Sequence, residues 1–356
     1  MSSTSASTPK MEYTRLGNSG LKISKVIFGT MSIGSSDWQE WVIDEAAALP
    51  LLKHAYDVGL NTWDTADTYS NGLSEVIIGK ALKKYNIPRN KVVILSKCYF
   101  GVGDIGSQPP ISALSTNDGE MVNQVGLSRK HVLDAVDRSV ERLGTHIDVL
   151  QIHRLDRDTP REEIMRALND VVESGKVSYI GASSEQMAAW EFQTLQNIAE
   201  KNGWHKFISM QNYYNLLYRE EEREMIPYCR DAGVGLIPWS PIARGALARP
   251  FDDRSTTREK SDKVLEILVR SKESEIDKRV IGRVEELAKK RGVSMTTIAT
   301  AWCLSKDNVN PIIGLSSTAR IDQAVESVQF AKSGKLTKED IKYLEEGYAP
   351  KERQGY

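Results

Sequence analysis

Short apolar runs alternate with amphipathic stretches along most of the chain. The runs cover 26–28, 61–64, 92–96, 149–153, 179–182, 208–212, 235–239 and 311–315, eight in all. They are rich in Val, Ile and Leu and are bounded by turn formers, as buried strands are. Between them, apolar residues recur at helical spacing over 45–57, 75–85, 128–143, 161–173, 184–201, 220–230, 277–291 with 296–304, and 320–330. Ser74 reads as the cap of the second of these helices. Gly59, Gly144, Gly175, Gly203 and Gly233 stand at helix ends, where a left-handed terminal residue is favoured. Ahead of the first run, 12–24 reads as two short strands around an Asn-Ser-Gly turn.

Strand and helix in alternation imply an α/β fold with a parallel sheet. A doubly wound open sheet also fits, but eight units favour a closed (β/α)8 TIM barrel, here with an N-terminal β-hairpin. The expected layout is a tail over 1–10 and a single barrel domain over 11–356. Three long connections, 32–43, 99–126 and 244–275, leave carboxyl ends of strands, the face where barrels carry their sites. The last is charge-rich and expected to be mobile.

Composition narrows the class without changing the fold. The 356 residues are 40% hydrophobic and 27% charged with a net charge of −1, so no basic field for nucleic acid or an anionic membrane exists. Cys98, Cys229 and Cys303 are far apart and show no paired spacing, which argues for a reducing compartment and against a zinc site or disulfide framework. His54, His131, His146 and His205 show no ligand spacing, so no metal is expected. No run approaches the length of a membrane span. The Ser/Thr-rich start, 1–10, reads as a disordered tail and not as a signal or anchor, and a cytoplasmic location follows.

Four polar side chains stand at or just past the ends of three successive strand-like runs: Asp64, Tyr69, Lys97 and His153. Each has a bland reading alone: a cap, a packing phenol, a solvated lysine, a structural imidazole. Together at one barrel face they form a proton-delivery set. A hydride arriving at a carbonyl carbon leaves charge on oxygen, which must be protonated or held by donors. A phenol near pKa 10 is a weak acid until a cation favours its phenolate. Lys97 can be that cation, Asp64 can keep it charged, and His153 can donate to the carbonyl oxygen.

With these residues and the segment from Gly59 to Glu75 in view, the chain resembles the aldo-keto reductase superfamily from about Tyr13 to Gln329. It looks most like the fungal branch of aryl-alcohol dehydrogenase and versiconal hemiacetal acetate reductase-like members. Asp64, Tyr69, Lys97 and His153 fall on that family's catalytic tetrad. The resemblance implies reduction of an aldehyde or ketone, with Tyr69 as general acid and NADPH as hydride donor in preference to NADH. It puts Gly29, Thr30, Met31 and Asp64 at the nicotinamide end, with Ser183 and Gln211 on the carboxamide. Trp239, Ser240, Pro241, Ile242, Ala243 and Gly245 match the loop over the pyrophosphate. Gly314, Ser316, Arg320 and Gln323 match the end that takes the 2′-phosphate and adenine, where hydroxyls, backbone donors and one Arg suit an anion. Gln323 and Ala324 stand where many relatives carry Glu and Asn, which implies a looser adenine grip.

Trp38, Trp41, Tyr99 and Phe100 could build an apolar wall for a flat or aromatic carbonyl substrate. Cys98 follows Lys97 directly and so faces the other side of its strand, as a core residue. Two further readings stay open at this stage. One is net oxidation of an aryl alcohol with NADP; the other is a regulatory binding module like the potassium-channel β subunits, which carry Asn at the fourth position where this chain has His153.

Overall fold

The computed structural model describes residues 11–104, 115–183 and 187–353. The tail over 1–10 and the start of the helix expected from 184 lie outside the described residues. All eight apolar runs are strands: β1 (Ile27–Gly29), β2 (Thr62–Asp64), β3 (Val93–Cys98), β4 (Ile147–Ile152), β5 (Val177–Ser183), β6 (Phe207–Gln211), β7 (Gly235–Leu236) and β8 (Ile312–Gly314). They pair in parallel in chain order, with β8 returning to lie beside β1. The seam between β7 and β8 closes through parallel bridges from Leu236 to Val309 and from Trp239 to Ile312. The protein is therefore an α/β barrel of the (β/α)8 type.

Period-two alternation sorts the strand side chains. One parity packs outward against the helices, as Phe28, Trp63, Ile94, Cys98, Leu150, Ile152, Ile180 and Met210 do. Cys98 is thus a core residue facing away from Lys97. The other parity fills the barrel. Its lower layer is apolar: Ile27, Val93, Leu95, Val149, Ile237 and Ile312 form a second, separate cluster. The layer above it is polar, and it is described with the site below.

The N-terminal hairpin pairs Tyr13–Arg15 with Lys22–Ser24 in antiparallel fashion. Its Leu16 and Ile23 are fully buried in the lower apolar cluster, so the hairpin plugs the amino-terminal end of the barrel.

Helices α1 (Glu45–Asp57), α2 (Leu73–Lys84), α3 (Arg129–Leu143), α4 (Arg161–Glu173) and α5 (Ala189–Asn202) follow the expected spacing. Two expectations need correction. Helix α2 starts beyond Gly72, at φ 86°, and Ser74 does not cap it. Its hydroxyl instead bonds Thr30 and Thr65 under the site, a stronger use for a buried oxygen. The run 220–230 is broken: a short 3-10 turn at Glu220–Glu222 precedes α6 (Met225–Asp231). Glu220 takes Tyr348 Oη at 2.5 Å and the Lys351 amide at 2.7 Å, which ties that turn to the C-terminal segment.

The charge-rich connection after β7 holds α7 (Thr257–Ser261) and α8 (Lys263–Leu268), and its charges meet one another. Arg249 and Arg270 both reach Glu259, and Arg254 reaches Glu273. Three further helices, α9 (Glu275–Arg291), α10 (Met295–Leu304) and α11 (Thr318–Lys332), complete the ring, and α12 (Lys338–Glu345) was not expected from the sequence. Among the described residues no helix is long and apolar enough to cross a membrane.

Gly17 fixes how the hairpin seats. Its φ is 56°, and a Cβ there would lie 2.4 Å from Gly233 O and 2.5 Å from Gly235 N. Both obstacles are backbone, so neither can swing away. Gly17→Ala should cost at least about 2 kcal/mol of stability. Urea unfolding checks this, and a loss below roughly 0.5 kcal/mol would show that the hairpin does not depend on that approach.

Candidate active site

The sequence-predicted residues of the upper barrel layer do converge. Asp64 ends β2, Lys97 lies near the end of β3 and His153 follows β4 directly. Register explains the meeting: Gly29 pairs with Asp64, Lys97 with Gln151, and Gln151 with Gly181. Tyr69 arrives from the loop between β2 and α2. The turn after it holds Ser70 and Asn71 in the left-handed region, at φ 50° and 52°, before Gly72. Backbone held this way, at some cost, is common beside functional sites.

Lys97 is 1% exposed, and all three of its ammonium donors are used. They reach Asp64 Oδ1 at 2.5 Å, Thr65 O at 2.8 Å and Tyr69 Oη at 3.2 Å. Burial pulls the lysine towards neutrality, but Asp64 and then Tyr69 more than offset it, so its pKa is raised above the ordinary value and the ammonium persists. Asp64 Oδ2 accepts from Gln151 Nε2 at 2.9 Å and from Gln211 Nε2 at 3.0 Å. Gln211 Nε2 also donates to Gln151 Oε1 at 2.9 Å. Both amide hydrogens of Gln211 are thus committed to the barrel, and its carbonyl oxygen is what it can offer the cleft.

His153 stands beside Tyr69, with ring centroids 6.0 Å apart. Burial above all, then Arg154 and Lys97, holds its pKa well below the usual histidine value. The imidazole is therefore neutral and can act only as a hydrogen-bond donor or acceptor, not as a cation. Its Nδ1 is buried with no hydrogen-bond partner among the described residues.

A cleft of about 480 Å³ opens over this cluster. Gly29, Met31, Asp64, Tyr69, His153, Ser183 and Gln211 line one part of it, and Trp239, Ser240, Pro241, Ile242 and Gly245 another. Gly314, Ser316, Arg320 and Gln323 line it as well. Thr30 and Ala243 do not: both are fully buried, and Thr30 supports the site from behind through its bond to Asp64 O at 2.9 Å.

Of the aromatic set, Trp41 faces the cleft. Trp38 lies 6.4 Å from the Tyr69 ring and Phe100 lies 5.2 Å from His153, so both flank the proton-delivery cluster. Tyr99 contacts Phe100 and packs against the main core.

Of the five arginines among the described residues that line the cleft, Arg244, Arg258 and Arg320 lie close enough to act on one another. Arg244 and Arg258 share Asp262, through Nη2 at 2.7 Å and Nε at 2.7 Å, and Arg320 bonds Ser316 Oγ at 2.6 Å. Burial, followed by the nearby Arg244, pushes Arg258 down to about 10. Three cations against one carboxylate leave a surplus of positive charge, which suits a phosphorylated ligand. Arg258 also stacks on Trp41, 4.2 Å from the ring centroid, and so joins the loop after β1 to the loop after β7 across the cleft. Among the described residues no group of His, Cys, Asp and Glu is arranged to hold a metal.

Sequence reasoning missed Arg258 and Gln151. Nothing periodic marks Arg258 within a charged loop. Gln151 carried a usable signal, because it lies two residues before His153 in one apolar run, and strand parity puts the two on one face.

Chemically, the cluster can pass a proton from Tyr69 to an oxygen above it while the Lys97 charge stabilises the phenolate left behind. It can also hold that oxygen through a neutral imidazole. The His153 Cε1 resonance should show no titration between about pH 8 and pH 6 in NMR spectra of the folded protein. A midpoint at or above the unfolded value of about 6.5 would contradict the neutral imidazole. Because the unfolded histidine takes a proton that the folded one refuses, this site should weaken folding as pH falls below that value.

Known proteins share this chain's sequence over nearly its whole length. The model of the Aldo/keto reductase family matches residues 25–349. The chain is 68% identical to versiconal hemiacetal acetate reductase of Aspergillus parasiticus, covering 96% of this chain and 98% of that protein. It is 55% identical to a protein of Schizosaccharomyces pombe named for aryl-alcohol dehydrogenase, over 96% of this chain and 97% of the relative. An aldo-keto reductase of Metarhizium robertsii is 49% identical over 99% and 95% of the two chains.

Proposed function

This chain belongs to the aldo/keto reductase family of oxidoreductases, and from that footing we propose that it reduces an aldehyde or ketone with NADPH, using Tyr69 as the acid. The observation that carries the reading is the position of Lys97 Nζ, between Asp64 Oδ1 at 2.5 Å and Tyr69 Oη at 3.2 Å, beneath the cleft.

The residues fit the cofactor. The surplus charge of Arg244, Arg258 and Arg320 suits its phosphates, with Arg320 and Ser316 at the 2′-phosphate. Gln211 has an acceptor oxygen, and Ser183 a hydroxyl, for the carboxamide. Among the cleft residues, Ser32 Oγ and Trp41 Nε1 are buried polar atoms with no partner, a state that a polar ligand would relieve. When bound, the reduced nicotinamide supplies a hydride to the carbonyl carbon.

The chain's own residues manage the oxygen and its proton. His153 donates a hydrogen bond to the carbonyl oxygen and sets its direction. Tyr69 gives its proton to that oxygen as negative charge develops there, and the resulting phenolate sits against the Lys97 ammonium until water returns the proton. Asp64 keeps Lys97 charged throughout. Proton transfer of this kind contributes on the order of 10²–10⁴-fold, so orientation and electrostatics must supply the rest. The same path run backwards removes a proton from an alcohol, which suits the dehydrogenase names among the relatives.

Trp38, Trp41 and Phe100 around the acid favour a planar or aromatic carbonyl compound, in keeping with a relative named for a hemiacetal acetate. The protein would act as a soluble enzyme of the cytoplasm on a small molecule, without nucleic-acid or membrane partners.

Two measurements test this. Tyr69→Phe should keep NADPH binding, read as quenching of tryptophan fluorescence, but lose about 10² or more of the turnover with aromatic aldehydes. Near wild-type turnover would remove Tyr69 from the acid role. Arg320→Ala should raise the apparent constant for NADPH far more than that for NADH, and an equal effect on both would remove the 2′-phosphate assignment.

A further inference from the structure

Gln151 is fully buried, does not line the cleft and therefore cannot touch a substrate or cofactor. It nevertheless lies in direct contact with the group that sets the charge of Lys97. We infer that Gln151 is a positioning residue of the reaction: with Gln211 it clamps Asp64 Oδ2, and so keeps the Asp64–Lys97 pair ionised and aligned for proton delivery by Tyr69. The inference rests on the reading of Tyr69 as the acid and adds a residue to it.

The geometry is closed on every side. Gln151 Nε2 donates to Asp64 Oδ2 at 2.9 Å, and its Oε1 accepts from Gln211 Nε2 at 2.9 Å. Gln211 then donates to the same carboxylate oxygen at 3.0 Å. Asp64 Oδ1 is taken by Lys97, so the two amides supply the side-chain donors to Oδ2. Gly181 gives the arrangement room. A Cβ there would crowd Gln151 Cγ at 3.1 Å and clash with Ser209 Oγ at 2.4 Å, so glycine gives the amide chain room that a larger residue would narrow.

A space-filling role does not explain the residue type. The layer beneath is Val, Leu and Ile, and an apolar side chain of similar size would fill the same volume without burying an amide. An amide is needed where a buried carboxylate has an oxygen left to satisfy. Neutral donors stabilise the charged form of Asp64 and add no competing charge. Remove them, and the pair shifts towards its neutral form, Lys97 loses part of its charge and the phenol becomes harder to ionise. The ionisable groups facing Tyr69 are Asp64, Lys97 and His153, with Arg154 beside the imidazole, while buried Asp67 acts on Glu75 and Arg142 and more weakly on Lys97. Gln211 belongs to both sides, since it lines the cleft and holds Asp64.

The test is the pH dependence of single-turnover hydride transfer, followed by NADPH absorbance in stopped flow, in Gln151→Met beside wild type. Reduction needs the protonated phenol, so its rate falls as pH rises past an alkaline limb. In Gln151→Met that limb should move upward and the plateau should drop by about tenfold or more, with the NADPH quenching constant within about threefold of wild type. Gln151→Glu keeps the shape but sets a second carboxyl against Asp64, and should move the limb in the same direction.

A wild-type limb and plateau in Gln151→Met would overturn the inference. A slower plateau with an unmoved limb would also overturn it, since that pattern belongs to a structural role. Failure of both variants to fold would assign Gln151 to stability alone. Tyr69→Phe run in parallel separates the levels: if it stays active, the acid assignment itself falls, whereas an inactive Tyr69→Phe beside a wild-type-like Gln151→Met removes only Gln151.

Discussion

An ammonium and a carboxylate buried together inside the barrel set the terms for everything around them. Each ion loses several kcal/mol of hydration on leaving water, and their attraction repays that only when the remaining donors and lone pairs are met. Here they are met. Lys97 uses all its donors on Asp64, Thr65 and Tyr69, and Asp64 fills its second oxygen with two amides. Four strands and one loop must hold register for this to happen. The cost of error is high, because removing one partner strands a charge in a place that water does not reach.

The barrel interior is built to carry that load. Below, Val93, Leu95, Val149, Ile237 and Ile312 pack with Leu16 and Ile23 of the hairpin as a dry floor. Above, the same strands two residues on present Lys97, Gln151 and Gly314. Apolar packing at one level fixes the strands, and polar groups at the next inherit their positions without a loop to place them. Tyr69 comes from a loop, and His153 follows its strand directly. That loop is pinned at its far end, where Ser70 and Asn71 adopt the left-handed region and Ser74 is held by Thr30 and Thr65.

The sequence disclosed the skeleton well, because a barrel strand buried on both faces is a nearly continuous apolar run with few competing explanations. Asp64, Lys97 and His153 were legible as polar breaks at the ends of such runs. Gln151 was not, because a single amide inside an apolar run is easily absorbed into it, although parity with His153 could have exposed it. Ser74 looked like a cap since its local sequence fits one; a tertiary partner, Thr30, lies 44 residues away and has no local signature. The 220–230 helix broke for the same reason, through contacts to Tyr348 and Lys351. Arg258 depends on Trp41 and Asp262, one far off and one four residues on in a loop without period.

The cleft is electrically uneven, and the unevenness has a direction. Around Tyr69, Lys97 is matched by Asp64 and His153 is neutral, with Arg154 as the one further cation beside that imidazole among the described residues of the cleft. Around Arg258 the charges do not balance, with three guanidiniums against Asp262. Under the proposed reading, a dinucleotide is attracted by its phosphates to the three clustered guanidiniums, and its uncharged reduced ring is left for the part around Tyr69. Protonation of His153 would spoil this sorting by adding a cation where hydride must arrive and where Tyr69 must stay protonated until it does. Burial of the imidazole is therefore more than a by-product of packing. It keeps the group that orients the substrate oxygen uncharged, so that a hydrogen bond and not a second fixed cation meets the charge that develops there.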